Sequence, residues 1–429
     1  GEPAAAASGL RVERYKIAVY TISGLIAAFA GLMFAVKLAG GAPNIAEGFL
    51  LPAIVAVLIG GTPLTGGVGG VLNTLIGALI VAVIRTAMVY LEVPATAQQS
   101  AHVDWTSADI SFERNMRSDV FQMPDGEGVR FWTFDDPSLA GSRQSPLQRL
   151  ISPPVRIREG SRAAITLRTA MPVRRASLHA ARGGAASDAA VWMEADECYT
   201  YRWAPPRSGT WFYQCHTSNA RQFEMGLYGV IAVDAPADAD GTRRAYRGGP
   251  AYDVERFWVF DDVDPEWHST AFDGRSIATD GRLRQFAPKY FLVNGVPNTE
   301  TLQHSEVMVE AKRGETVLLR LMNASFSLVK VTIAGLASEI VAVDGNVLGT
   351  ELRPWMRWIR VAPDQPMHLA TASRYDLLLN FDPASGYCPG PGEYAVTFEF
   401  QNGTTRRVHN VDAAHPANVG RATTVIRVL

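Results

Sequence analysis

The stretch richest in residues able to do chemistry is GTWFYQCHTSNARQFEMGLYG, from Gly209 to Gly229. Cys215 and His216 are neighbours in it, Met225 lies in the same segment, and His179 stands upstream in ASLHAARGG. Thiolate, imidazole and thioether are donors that copper selects, so binding of a soft metal is the chemistry open to this set. Each residue also has a plainer reading. A buried Cys is ordinarily an inert hydrophobe, Met fills gaps in cores, and single His residues are often held by hydrogen bonds. His102, His268, His304, His368, His409 and His415 show no metal spacing and read as surface or loop residues. No Gly-rich phosphate loop, catalytic Ser elbow or paired-carboxylate motif stands out.

Such residues need a scaffold that brings distant segments together, and the chain around them has β grammar. Val155, Ile157, Ile165 and Leu167 alternate with polar residues across a Glu159-Gly160 turn, and Tyr199, Tyr201 and Trp203 alternate before Pro205-Pro206. Val317, Leu319 and Leu321 repeat the pattern after Arg313-Gly314, as do Tyr394, Val396, Phe398 and Phe400. Short period-two runs punctuated by Gly and Pro predict antiparallel β-sandwiches. Pro236 to Gly249 reads as a linker, placing one domain at about 103–234 and another at about 250–429. VRIREGSRAAITLR and VMVEAKRGETVLLRL share a strand, charged-Gly turn, strand plan, as an internal duplication would leave. Trp132, Trp203, Trp211 and Trp258 are expected in cores.

The first hundred residues follow other rules. Ile17 to Val36 is a run without a charge, flanked by Lys16 and Lys37, and matches the length of a transmembrane helix. Gly67 to Leu91 is a second candidate, interrupted by Arg85 near its end. Phe49 to Gly61 is apolar but too short for a secure span. Arg11, Arg14 and Lys16 put the leading end in the cytoplasm by the positive-inside rule. Three crossings then place the rest of the chain in the periplasm or outside the cell, and two keep it inside.

Bulk properties set the outer limits. The 429 residues, 47% hydrophobic and 19% charged, suffice for two or three packed units. A formal charge of −2 argues against nucleic acid as a partner. Cys198, Cys215 and Cys388 are too few for a disulfide framework. No initiator Met and no signal peptide are present, so the sequence reads as beginning inside something larger.

Two resemblances add to this reading. From Glu2 to about Gln99, above all in EGF...AIVAVLIGGTPLTGG, the chain resembles the C-terminal part of ribose/xylose-type ABC sugar permeases, with Pro52 where those usually carry an acidic residue. A fragment of a permease fused to an unrelated domain pair is the arrangement this implies. The remainder resembles the multicopper oxidases, through GTWFYQCHTSNARQFEMGLYG, YTYRWAPPRSGT, MPDGEGVRFWTF, YDVERFWVFDDVDPEWH, PKYFLVNGVP and VAVDG. It implies an all-β fold of two cupredoxin-like Greek-key β-sandwich domains behind an N-terminal α-helical membrane segment. It further implies copper as cofactor, with His179, Cys215, His216 and Met225 as its ligands. A small-molecule or metal-ion substrate and a homo-oligomer also follow from it.

The chain departs from that pattern where the metal matters most. Gln214 and Gln222 stand at histidine positions of the loop, and Ala181 at the second position of the His-x-His-Gly element. Arg174 and Arg175 occupy the upstream region, and Val329, Thr332 and Ala334 take the histidine positions of the second domain. Amide and alkyl side chains do not replace imidazole on copper, so the expectation is an oxidase-like protein with impaired or absent activity. A copper-free binding or structural module and a sugar-transport component carrying an extra domain remain as alternatives. In a cupredoxin the strands carrying Cys198 and Cys215 belong to different sheets, so no disulfide joins them.

Overall fold

The computed structural model describes helical backbone at residues 17–18, 20–29, 76 and 79–80. From residue 108 onward it describes all but 140–149, 170–177, 181–196, 206, 216–218, 270–285, 350–356, 383–384, 386–389 and 411–414. The chain divides into two compact units, Gly1–Gln99 and Ser100–Leu429. In the first, Tyr20, Ile22, Leu25, Ile26 and Phe29 are all exposed along the 20–29 helix. No helix among the described residues is long and apolar enough to cross a membrane. The expected Ile17–Val36 span is described only as far as Phe29, and Phe49–Gly61 lies outside the described residues.

The second unit begins with eight strands. They are β1 Ile110–Gln122, β2 Gly128–Asp135, β3 Ser152–Arg158, β4 Ala163–Thr169, β5 His179–Ala180, β6 Cys198–Trp203, β7 Gly209–Gln214 and β8 Tyr228–Asp234. They form two sheets, ordered β2-β1-β4-β6 and β3-β8-β7-β5. Phe134, Ile165, Leu167 and Trp203 of one sheet close on Val155, Ile157, Tyr213 and Val233 of the other, which is the core the period-two pattern predicts.

Thirteen further strands follow in chain order. They are β9 Val254–Val263, β10 Tyr290–Val293, β11 Val296–Pro297, β12 Val309–Ala311, β13 Thr316–Asn323, β14 Leu328–Ile333, β15 Ser338–Val343, β16 Asn346–Val347, β17 Ile359–Val361, β18 Met367–Leu369, β19 Arg374–Asn380, β20 Gly392–Gln401 and β21 Arg421–Val428. Their sheets run β11-β10-β9-β13-β19-β15-β16, with β17 on β15, and β12-β21-β20-β14-β18. The two sandwiches share one plan. β1 pairs β4 in parallel as β9 pairs β13, and β3 pairs β8 in parallel as β12 pairs β21. The two similar sequence segments are β3–β4 and β12–β13, so the echo in the sequence maps onto equivalent strands.

The sandwiches do not stand apart. β7 and β8 are apolar on both faces, and their outer residues Phe212, Tyr228 and Val230 pack on Val259 of β9 and Met322 of β13. This explains why WFY and YGVIAV lack clean alternation: both faces are buried. The hairpin between β15 and β16 turns on Asp344 and Gly345, both with positive φ, as a two-residue turn requires. Its tip rests on Trp211, where a Cβ on Gly345 would come within 2.6 Å of the indole. The expected linker is an ordered strap. Ala245, Tyr246 and Tyr252 cover Leu318, Val341 and Leu378, and the Tyr246 hydroxyl donates to Leu348 O at 2.8 Å.

Candidate metal centre

Strand β7 delivers Cys215 to the end of the first core, helix α1 (Asn219–Glu224) turns the chain, and β8 returns it. Cys215 N–H donates to Leu227 O at 3.0 Å, and Trp132 N–H donates to Met225 O at 2.7 Å, so backbone bonds hold both ends of the turn. Cys215 and Met225 are fully buried in one apolar cluster with Leu178, Trp132 and Leu227. β5 lies antiparallel to β7 with His179 directly opposite Gln214. The fold therefore gathers the strand position of His179 with Gln214, Cys215 and Met225 at one end of the first sandwich. His216, Ala181, Arg174 and Arg175 lie outside the described residues.

A copper centre of the His₂Cys kind asks for two imidazoles beside a thiolate. The described positions in the turn present two sulfurs and two amides, Gln214 and the buried Gln222. Among the described residues no group of three His, Cys, Asp or Glu side chains is placed to hold a metal. The described side chains of the turn thus supply neither imidazole, and the side chains of His179 and His216 lie outside what is described. In the second sandwich Val329 is wholly buried in the core, and Thr332 and Ala334 follow on or beside β14, so none of the three positions offers an imidazole. Cys198 is exposed on β6 while Cys215 is buried beyond β7, in the other sheet, and no disulfide joins them. Cys388 lies outside the described residues.

The glycines of MGLYG serve packing. Gly226 has φ +104°, and a Cβ there would sit 2.7 Å from Trp132 O. A Cβ on Gly229 would fall 2.4 Å from Cζ of Tyr213, whose hydroxyl is fixed by Ser152 Oγ at 2.8 Å and Arg114 Nε at 3.1 Å. These residues of the motif are required by the fold, with or without a metal.

A second cluster lies where α1 meets the second sandwich, and no motif pointed to it. Glu224, Asp261, Asp262, Asp264 and His268 are all buried, which corrects the expectation that His268 is a surface or loop residue. His268 belongs to a short helix, α2 (Pro265–Ser269), and its Nδ1 donates to the Arg130 carbonyl of the first sandwich. Its Nε2 therefore carries the lone pair, 3.6 Å from Glu224 Oε1 and without a hydrogen bond. Tyr228 donates to Asp261 Oδ2 at 2.7 Å, and Asp264 N–H donates to Glu224 Oε1 at 3.1 Å. Burial pushes the Glu224 and Asp261 carboxyls well above the usual range and Asp262 up to about 6. Burial pushes His268 down to about 4. The signal in the sequence is FDDVD, three acids at the end of an apolar strand.

Residues 2–105 match the family model described as the branched-chain amino acid transport system / permease component. Over 94 residues the chain is 48% identical to the xylose transport system permease protein XylH of Escherichia coli, covering 21% of this chain and 23% of that protein. It is 39% identical over 97 residues to the ribose import permease protein RbsC of Bacillus subtilis, covering 23% and 30%. The chain thus spans a quarter to a third of the length of these curated permeases. The fold of the remainder is that of the multicopper oxidases. The blue copper oxidase from Nitrosomonas europaea superposes with a TM-score of 0.52 at 17% identity, covering 74% of this chain and 86% of that one. Fet3p, a multicopper oxidase that functions in iron import, gives a TM-score of 0.52 at 17% identity, covering 74% and 52%. At such identity the likeness concerns the fold, and activity must be argued from the site.

Proposed function

We propose that this protein is a membrane-attached pair of cupredoxin-like domains, 103–234 and 250–429, whose oxidase activity is impaired or absent. The permease-like segment, through residues 17–91, supplies the attachment, and the domain pair lies on the periplasmic or extracellular side of the cell membrane. Exposed apolar side chains along the 20–29 helix support contact with lipid. The observation that carries the reading is the pairing of His179 with Gln214 beside the buried Cys215, with Gln222 on the following helix. A cysteine in a turn with amides at the histidine positions lacks imidazoles that fix copper geometry. His179, Cys215, His216 and Met225 are what is left of a ligand set.

The test is metal analysis of the purified protein after loading with excess copper, together with its visible spectrum and turnover of a phenolic substrate. Less than stoichiometric copper, no intense thiolate-to-copper band and no turnover are expected. Restoring Gln214→His, Gln222→His and Ala181→His together should raise copper uptake before activity. An intense blue colour in the unmodified protein, abolished by Cys215→Ser, overturns the reading.

A further inference from the structure

The seam between the two sandwiches has a charged end, where Arg320 binds Glu255 and Asp376, and along the same strands it becomes apolar at Leu318 and Leu378, which the strap covers. Beyond the strap lies β17, at the rim of the sheet and paired with β15. Its edge is unlike the rest of the surface. Of the large apolar side chains exposed among the described residues from 108 onward, Trp358 and Ile359, 37% and 50% exposed, alone are neighbours in sequence. Arg357 and Arg360 flank them, both exposed, with Glu339 of β15 opposite Arg360 in register. The Trp358 indole N–H donates to the Tyr246 hydroxyl at 2.9 Å and to Leu348 O at 3.2 Å, so its polar atom is engaged inside and what stays exposed is hydrocarbon.

A run of contacts joins this edge to the place where the chain enters the second unit. Arg247, next to Tyr246 in the strap, donates through Nε to Glu159 Oε1 at 2.9 Å and through its backbone N–H to Ser208 Oγ at 3.3 Å. Glu159 belongs to the turn that leads to Arg162, whose backbone N–H donates to Asp109 Oδ2 at 2.7 Å just before β1. The permease family match ends at residue 105 and β1 starts at Ile110, so little chain intervenes between that match and this end of the unit. This end is basic. The acids Asp109, Glu159 and Asp238 are engaged by Arg162, Arg247 and Arg244 in turn, and Arg158 and Arg207 stand exposed beside them.

We infer that this end of the second unit docks on an anionic lipid surface, with Trp358 and Ile359 entering the interfacial layer and Arg357 and Arg360 meeting lipid phosphates. The inference rests on the membrane attachment proposed above. Charge complementarity selects the occupant, because a small apolar tip in a cationic rim matches acyl chains beneath a layer of anionic headgroups. The indole is already pinned to the strap, so docking costs it little rotamer freedom. Each arginine at such a surface raises the docked-to-free ratio about fivefold, and the gain fades beyond a Debye length.

The chain has no Trp before Trp105, and Trp132, Trp203, Trp211, Trp258 and Trp267 are buried. Fluorescence quenching by lipids brominated in their acyl chains therefore reads this edge when the unmodified protein is compared with Trp358→Phe. The full chain is reconstituted in vesicles of equimolar phosphatidylcholine and phosphatidylglycerol, or of phosphatidylcholine alone, and recovered by flotation. Quenching that Trp358→Phe removes should appear in the anionic vesicles and fade in phosphatidylcholine alone and in about 1 M NaCl, where the Debye length is about 3 Å. At the salt concentration that leaves the unmodified protein half docked, Arg357→Gln with Arg360→Gln should lower the docked-to-free ratio roughly twenty-five-fold. Should Trp358→Phe fail to fold, Ile359→Ser decides, and it must lower the quenching of the anionic vesicles. Three results overturn the inference: a chain that floats with the vesicles without Trp358 quenching, quenching indifferent to lipid charge and salt, or a dimer in detergent that Ile359→Ser dissociates, as a second copy on this edge would give. A chain that fails to float overturns the membrane attachment itself, and the docking with it.

Discussion

Replacing Arg320 by Met tests whether the charged end of the seam makes the two sandwiches one folding unit. Arg320 is 1% exposed and holds Glu255, Asp376 and, at 3.0 Å, the Thr210 hydroxyl of the first sandwich. Methionine keeps most of the volume and removes the charge. Glu255 then retains Arg156, but Asp376 is left with the Thr210 hydroxyl alone. Breaking one side of a buried ion pair costs about 3–5 kcal/mol, because it strands a desolvated charge. That is a large part of a total stability of about 5–15 kcal/mol. Urea unfolding of the full chain in detergent should show the loss as a lower midpoint with an unchanged slope. Asp376→Asn on the same background should recover about 1–3 kcal/mol, since the stranded charge is gone. A loss below about 1 kcal/mol for Arg320→Met, or no recovery in the double variant, refutes the argument.

Other outcomes follow from the same geometry. Gly229→Ala drives a methyl into the anchored Tyr213 ring and should cost about 1–3 kcal/mol, seen as a melting point several degrees lower without any metal present. Residues 103–234 expressed alone should aggregate, because Phe212, Tyr228 and Val230 lose their cover, whereas 103–429 should unfold cooperatively; a soluble, folded first sandwich would contradict this. His268 is held near 4 against an ordinary 6.5, so its neutral form costs nothing at pH 7 and stability falls, by roughly 3 kcal/mol in full, as the pH drops from about 6.5 to about 4. His268→Asn keeps a donor for the Arg130 carbonyl and should flatten that acid limb in pH-dependent melts.

The alternation in β3, β4 and β20 was legible in the sequence because each has one face in a core and one in water, so burial and hydrophobicity carry the same period. The Cys215 turn could be placed because its glycines, Gly226 and Gly229, answer to local crowding by Trp132 and Tyr213. His268 was not legible: nothing around it in sequence says that Arg130, far upstream, will lie against its ring.

Sequence by itself determined that a membrane-like segment is followed by a repeated β-sandwich with amides where imidazoles would hold copper, because residue type and spacing are local properties of the chain. Tertiary structure alone decided that the sandwiches share a seam, that the Pro236–Gly249 linker is a strap, and that Glu224 and His268 are buried where they meet. The reason is physical: an acid's cost depends on the dielectric and the charges around it, and those are supplied by strands more than a hundred residues apart.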